Sequence, residues 1–364
     1  MKDTKQLESG IKKLGTTLKK LDKKVAGVEK KQQNQPEKTA CPISGENSSG
    51  CPHSQAASAN SYWQNIYPPL LRPGAGQNDP EILASLGPLA ALIGTWVSNP
   101  RNGFNVMPLP EATARDGFIL KNFFYYEEVT FSAIAGKVAN RGGTDEQDSY
   151  TLFYEQRVFF SDGPQKDQLV HAENGAWLHL IKTQQKLGPV GFGPMPSPPA
   201  PDPVPPQDPA TEIVKQVSVP HGNSILANGS FTVFEGRPEI PDVSALPIDA
   251  PESFNLLYGP NEPGNPNVNP NVVLQGALSL TPEEVLRTTL IDVDSDNQGN
   301  VVNTPFMVSH INVSRFRNQL WLEELATGAV QMQYSQNITL DFPQADGTVI
   351  QFPHIVANTL RKIA

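Results

Sequence analysis

Cysteine is almost absent: the 364 residues hold two, Cys41 and Cys51, both in one polar stretch. That excludes a disulfide framework and a buried cysteine nucleophile, and it fits a reducing, cytoplasmic setting with one short-loop disulfide left open. Long apolar runs are missing too. None reaches membrane-spanning length, and the lysine-rich start has no apolar signal core, so neither a transmembrane segment nor a secretory leader is expected. Basic charge is scarce outside the start. Residues 1–31 carry ten lysines against four acids, while the whole chain is at −9, which leaves an acidic body unsuited to nucleic acid. The chain also lacks G-x-S-x-G, a P-loop, H-E-x-x-H and any dinucleotide-binding fingerprint.

What is abundant is proline and glycine, 35 and 28 residues, against a hydrophobic content of 38%. This composition allows one sizeable core with much loop around it. At the start, Ile11, Leu18 and Val25 fall at heptad position a, and Leu7, Leu14, Leu21 and Val28 at d. The seam over residues 7–28 predicts a coiled-coil helix and a homo-oligomer, dimer or trimer, with Lys24 able to reach Glu29 of a second copy. A basic helix lying on an anionic membrane is the rival reading, and three glycines weaken either one. Residues 32–80 are too polar to fold alone and read as a linker. Cys41-Pro42 and Cys51-Pro52-His53 within it are similar to the Cys-Pro dipeptides that ligate ferric haem. A zinc half-site and a plain solvated linker remain open for them.

From about residue 81 onward the pattern is all-β. Strands are expected at 118–134, 148–160, 169–182, 284–294, 305–317, 329–342 and 348–364, with turns at Asp162-Gly163, Asn174-Gly175, Asn228-Gly229 and Asp346-Gly347. Successive hairpins without intervening helices predict an antiparallel barrel or sandwich. Residues 187–210 are too proline-rich for a central strand and read as an inserted polyproline-like loop, as does 259–271. Asp292, Asp294 and Asp296 have calcium-loop spacing, but Asn297 and Asn303 occupy the positions that need glycine and glutamate, so an acidic hairpin is the better reading. Six histidines remain: His53, His171, His179, His221, His310 and His354. His354 stands out because alternation places it with Ile350, Phe352, Val356 and Leu360 on one face of the last strand. Such a histidine is either a hydrogen-bonded core residue or a ligand.

Four stretches in order are similar to the nitrobindin family of haem-binding β-barrels. They are "LGPLAALIGTWVSNPRNGFNVMPLP" (86–110), "FYYEEVTF" (124–131), "YEQRVFFSDGPQKDQLVHAENGAWL" (154–178), and "QMQ" (331–333) followed by "PHIVANTLRK" (353–362). The resemblance implies a calycin-like antiparallel barrel of about ten strands, with long loop insertions and the N-terminal helix added. It implies haem b, with iron held by His354 as proximal ligand and one face left open. Thr95, Trp96, Val170, Met332, Phe352 and Val356 would line or seal the haem pocket, with barrel-bottom core an equal reading for Trp96. His171 and His221 are the candidates for acid–base work on the open side. The implied chemistry is on small oxidants: peroxynitrite isomerisation, nitric oxide binding or peroxide-dependent oxidation. Two other classes stay open, a haem-free carrier of an apolar ligand such as a fatty acid, and a haem storage or sensing protein. The insertions depart from the compact family pattern.

Overall fold

A computed structural model describes residues 79–134, 136–142, 145–185, 212–344 and 346–363. The heptad helix, the Cys-Pro segment and the proline-rich 187–210 lie outside the described residues. The described residues form fifteen strands. The first six are β1 (Gly94–Val97), β2 (Gly103–Val106), β3 (Pro108–Pro110), β4 (Phe118–Leu120), β5 (Phe123–Ala133) and β6 (Val138–Gly142). Then come β7 (Asp145–Phe160), β8 (Leu169–Gln185), β9 (Ile213–Val219), β10 (Asn223–Glu235) and β11 (Val285–Asp294). The last four are β12 (Asn300–Asn303), β13 (Asn312–Leu325), β14 (Val330–Pro343) and β15 (Val349–Lys362).

The sheet closes on itself. β1 and β2 act as one interrupted strand between β15 and β5, and the circuit runs on through β7, β8, β9, β10, β11, β13, β14 and β15. Every pairing is antiparallel, giving a ten-strand barrel of the calycin-like kind, with no open edge in the wall. The expected strands fall on β5, β7, β8, β11, β14 and β15, and differ from the observed ones elsewhere. Pro305–His310 is a short helix, not strand, because proline opens it and the chain must turn before β13. Strands β1, β2, β3, β6, β9, β10 and β12 lie outside the expected stretches, and 118–134 breaks into β4 and β5.

Two of the four expected turns are also corrected. Asn174-Gly175 lies inside β8 and Asn228-Gly229 inside β10. A Cβ on Gly175 would sit 1.9 Å from the Gln216 carbonyl oxygen, and one on Gly229 1.8 Å from that of Asp292. These glycines let neighbouring strands approach where the wall curves, a role that shares its sequence signal with a hairpin turn. The acidic stretch is a loop but not the expected hairpin, because β11 and β12 both pair with β10 and residues 295–299 only interrupt that line of strand. Asp292 pairs with Arg317, and Asp294 and Asp296 with Arg315.

One end of the barrel is plugged by helix α1 (Pro80–Leu86) and the 3-10 turn Gly87–Leu92. Asp79 caps α1 by accepting from the Glu81 N–H, and Pro80 occupies its first turn. Leu86, Leu89 and Leu92 bury themselves against Trp96, Val129, Phe131, Trp177, Met332 and Leu360. His179 belongs to this plug: its Nδ1 meets the Ser85 carbonyl at 2.7 Å.

The segment between β10 and β11 covers the outside of the wall. It carries the 3-10 turn Glu252–Tyr258 and helix α2 (Val272–Leu280). Ile240, Leu274 and Leu278 pack on Trp321 and Ala357, while Ala245, Tyr258 and Val268 share a core with Ile355. The asparagine-rich 259–271 is turn, not polyproline helix, because its amides bind the backbone: Asn265 Nδ2 donates to the Tyr258 and Pro260 carbonyls. β15 is therefore buried on both faces, with its even-numbered residues inside the barrel and Ile355 and Ala357 beneath the cover. This explains a terminal strand that reads as almost continuously apolar.

Candidate functional site

The barrel interior is layered. Above the apolar plug lies a polar layer, and above that a cavity of about 360 Å³, within the size range of small-molecule and cofactor sites. Its walls are largely apolar, with Val158, Val170, Ile225, Ile338, Leu340 and Val356 among them. The 305–310 helix, here α3, and the residue after it contribute Met307 and Ile311.

His354 faces this cavity from β15. Its Nε2 lies 2.8 Å from Asn105 Oδ1 on β2, so it donates and Nδ1 carries the lone pair. Burial away from water pushes its pKa from 6.5 down to about 3, with His171 adding a smaller effect in the same direction, so the imidazole is neutral at physiological pH. Asn105 Nδ2 is buried without a partner. The two strands carrying this pair adjoin, with Ile355 opposite Val106 and Val356 opposite Asn105.

Across the cavity wall, alternation on β8 points His171 and Glu173 the same way. His171 Nε2 is 3.3 Å from Glu173 Oε2, and His171 Nδ1 is 3.1 Å from Nε2 of His221 in the β9–β10 turn. His221 is exposed, His171 half-buried and Glu173 buried. Glu173 also accepts from Tyr154 OH at 3.0 Å and faces Lys215 Nζ at 3.7 Å. Burial by itself would raise the Glu173 pKa. Lys215, His171 and Tyr154 outweigh it and hold the carboxyl well below its usual range.

Lys215 is itself buried in the polar layer. It donates to Asn318 Oδ1 at 3.1 Å and sits over the rings of Tyr154, Trp177 and Phe316. Burial lowers its pKa, opposed by Glu173 and Glu127. Glu127 on β5 is the second buried carboxyl here. Oε2 accepts from Gln156 Nε2 and from Tyr334 OH at 2.9 Å, Tyr334 OH meets Tyr125 OH at 2.9 Å, and Oε1 has no partner. Burial raises its pKa to about 7, against the hydrogen bonds from Gln156, Tyr334 and Asn358. A buried ion pair and a buried lone carboxyl are weak sources of stability, since desolvating each charge costs several kcal/mol.

Of the residues singled out from the sequence, His171, His221, His354, Val170 and Val356 come together around the cavity. The others lie outside its lining. Trp96 is in the apolar plug, its Nε1 donating to the Leu92 carbonyl at 2.7 Å. Thr95 bonds Thr130 through their hydroxyls, Met332 is packed in the same plug, and Phe352 packs on Phe118 and Phe342. His310 caps its own helix by bonding the Phe306 carbonyl. Asn105, Glu127, Glu173 and Lys215 were not anticipated. The signal was available for Glu127 and Lys215, which sit at the inward parity of otherwise apolar strands.

The donor chemistry around His354 suits a haem. The imidazole is neutral at neutral pH, and its flanking walls are apolar. For Nε2 to ligate iron, its proton would have to move to Nδ1 and Asn105 Oδ1 would have to give up its contact with the ring. Among the described residues no cluster of three or more His, Cys, Asp or Glu side chains is arranged to hold a bare metal ion. No described helix is long and apolar enough to cross a membrane.

Fold and site together define a calycin-like β-barrel with an internal, histidine-lined cavity. No protein-family model and no curated protein matches the chain, so its class rests on this architecture.

Proposed function

We propose that the barrel is a haem b protein that reacts with small oxidants, with His354 as the proximal ligand. The observation that supports this most is a neutral imidazole on the apolar wall of a cavity of about 360 Å³. When bound, ferric haem supplies a redox-active iron for peroxide, peroxynitrite or nitric oxide. The chain's own part is to hold and to exclude. Val158, Ile225, Ile338, Leu340 and Val356 keep water from the bound group. On the β8 side, His171 and Glu173 hold a proton next to whatever occupies the cavity. Peroxide-dependent oxidation makes most use of that pair, because it needs proton movement, whereas nitric oxide binding needs none.

A second reading, a haem-free carrier of a small, largely apolar ligand, is favoured by the Asn105 bond, which already satisfies His354 Nε2. A titration of the purified full chain with ferric haem separates the two. A saturable Soret band that His354→Ala removes supports the first, and a chain that stays colourless while taking up an apolar fluorescent probe supports the second. Storage or sensing through the Cys-Pro segment would instead show a haem spectrum sensitive to Cys41 and Cys51.

A further inference from the structure

We propose that His221, His171 and Glu173 form a proton path from solvent into the barrel cavity, with His221 as its outer port and Glu173 as its inner terminus. The proposal deepens the reading of the cavity as a reaction site. It does not need haem to be the group that reacts.

The direction of each hydrogen bond follows from chemistry. Glu173 is an ionised carboxylate, which only accepts, so His171 Nε2 must carry the proton in the 3.3 Å contact. A neutral His171 then has its lone pair on Nδ1. The 3.1 Å neighbour of that lone pair, His221 Nε2, must donate. His221 is left with Nδ1 as its only basic atom, and the residue stands exposed at the end of β9. Three side chains from one strand and a turn thus line up from water to the cavity wall, with both imidazoles pointing an N–H group inward. The two rings also stack, 5.1 Å between centroids, which restricts their rotation.

A proton arriving at His221 Nδ1 makes that ring an imidazolium. The ring passes its Nε2 proton to His171 Nδ1 and becomes neutral again. His171, now the imidazolium, faces the Glu173 carboxylate and can release its Nε2 proton to Oε2. Glu173 lines the cavity, so the proton ends where a bound molecule can take it. Return of a proton from the cavity to Glu173 runs the same steps backward and puts both rings back in their starting tautomer. The surroundings suit a transit station better than a trap. Lys215 and Tyr154 favour the ionised carboxylate, so Glu173 does not hold the proton for long. The other titratable groups near the pair are His354 on β15 and Glu127 on β5; one is neutral and the other has no bond to His171. The ligand class this serves is a small molecule that gains or loses a proton as it reacts, such as a hydroperoxide.

The test uses the full chain, labelled with ¹⁵N and ¹³C, without haem. Two-bond proton–nitrogen correlation spectra should show the neutral forms of His171 and His221 both protonated on Nε2. Relaxation dispersion of the His171 Cε1–H signal reports how fast that ring exchanges between neutral and charged forms. His221→Gln, which cannot ionise, should slow this exchange by on the order of a hundredfold. It should leave the backbone spectrum unchanged, because residue 221 is exposed, and His221→Asn provides a second variant of the same kind. A neutral His171 protonated on Nδ1, or an exchange rate indifferent to both variants, overturns the path. Failure of haem to bind would overturn the function proposed above and leave this result standing.

Discussion

Glu127 offers the sharpest check on the polar layer inside the barrel. Replacing it with glutamine leaves an oxygen to accept from Gln156 and Tyr334, and puts the amide nitrogen where Oε1 now has no partner. The two side chains have nearly the same shape, so packing is conserved and charge alone changes. In the folded chain the Glu127 pKa is about 7, against 4.5 for the unconstrained group. The folded state therefore binds the proton more tightly than the unfolded one. Its contribution is fully present below pH 4.5, declines as pH rises, and is lost above about pH 7. The interval between those values corresponds to about 3 kcal/mol. His354 has the opposite sign, because its folded pKa of about 3 lies below 6.5, so its stabilising effect grows as pH rises through that window. Comparing variant with parent at each pH cancels the His354 contribution. Urea denaturation followed by tryptophan fluorescence at pH 4.5, 6, 7 and 8.5 gives the difference directly. Glu127→Gln should gain on the parent by about 3 kcal/mol between the lowest and highest pH, with most of the change between 4.5 and 7. A difference that stays flat across that range would refute the reasoning, since it would mean that Glu127 ionises in the folded chain as readily as in water.

Other outcomes follow from the same geometry. His354→Ala should abolish saturable haem binding while far-ultraviolet circular dichroism is retained, because the strand keeps its β14 and β2 partners; retention of an unperturbed Soret band would remove His354 as the ligand. Gly229→Ala should destabilise the chain by several kcal/mol, since its Cβ would lie 1.8 Å from the Asp292 carbonyl oxygen and the β10–β11 ladder must open, as thermal unfolding would show. Lys215→Met should cost about 3–5 kcal/mol by leaving Glu173 buried without its cation, measurable in the same urea assay at pH 7. Deleting residues 1–34 should turn an oligomer into a monomer by light scattering if the heptad seam works as its spacing implies, and an unchanged mass would exclude it.

Much of the barrel was legible in the sequence, because strand alternation is a local property. The parity of Ile350, Phe352, His354, Val356 and Leu360 was enough to place His354 inside, and the same parity on β8 pairs His171 with Glu173. Turn chemistry was less reliable. Asn-Gly signals a hairpin, but the close approach of two strands in a curved wall demands the same glycine, and only the neighbouring backbone distinguishes Gly175 and Gly229 from turns. The helix at Pro305–His310 likewise departs from a strand-like apolar pattern, because proline opens it and the chain must turn before β13. What tertiary structure alone decided was the company each inward residue keeps. His171 and His221 are fifty residues apart in sequence, and Asn105 and His354 are 249 apart. Their meeting depends on which strands adjoin when the sheet closes. That closure is non-local, so each strand's pattern says which way a side chain points and nothing about what it will face.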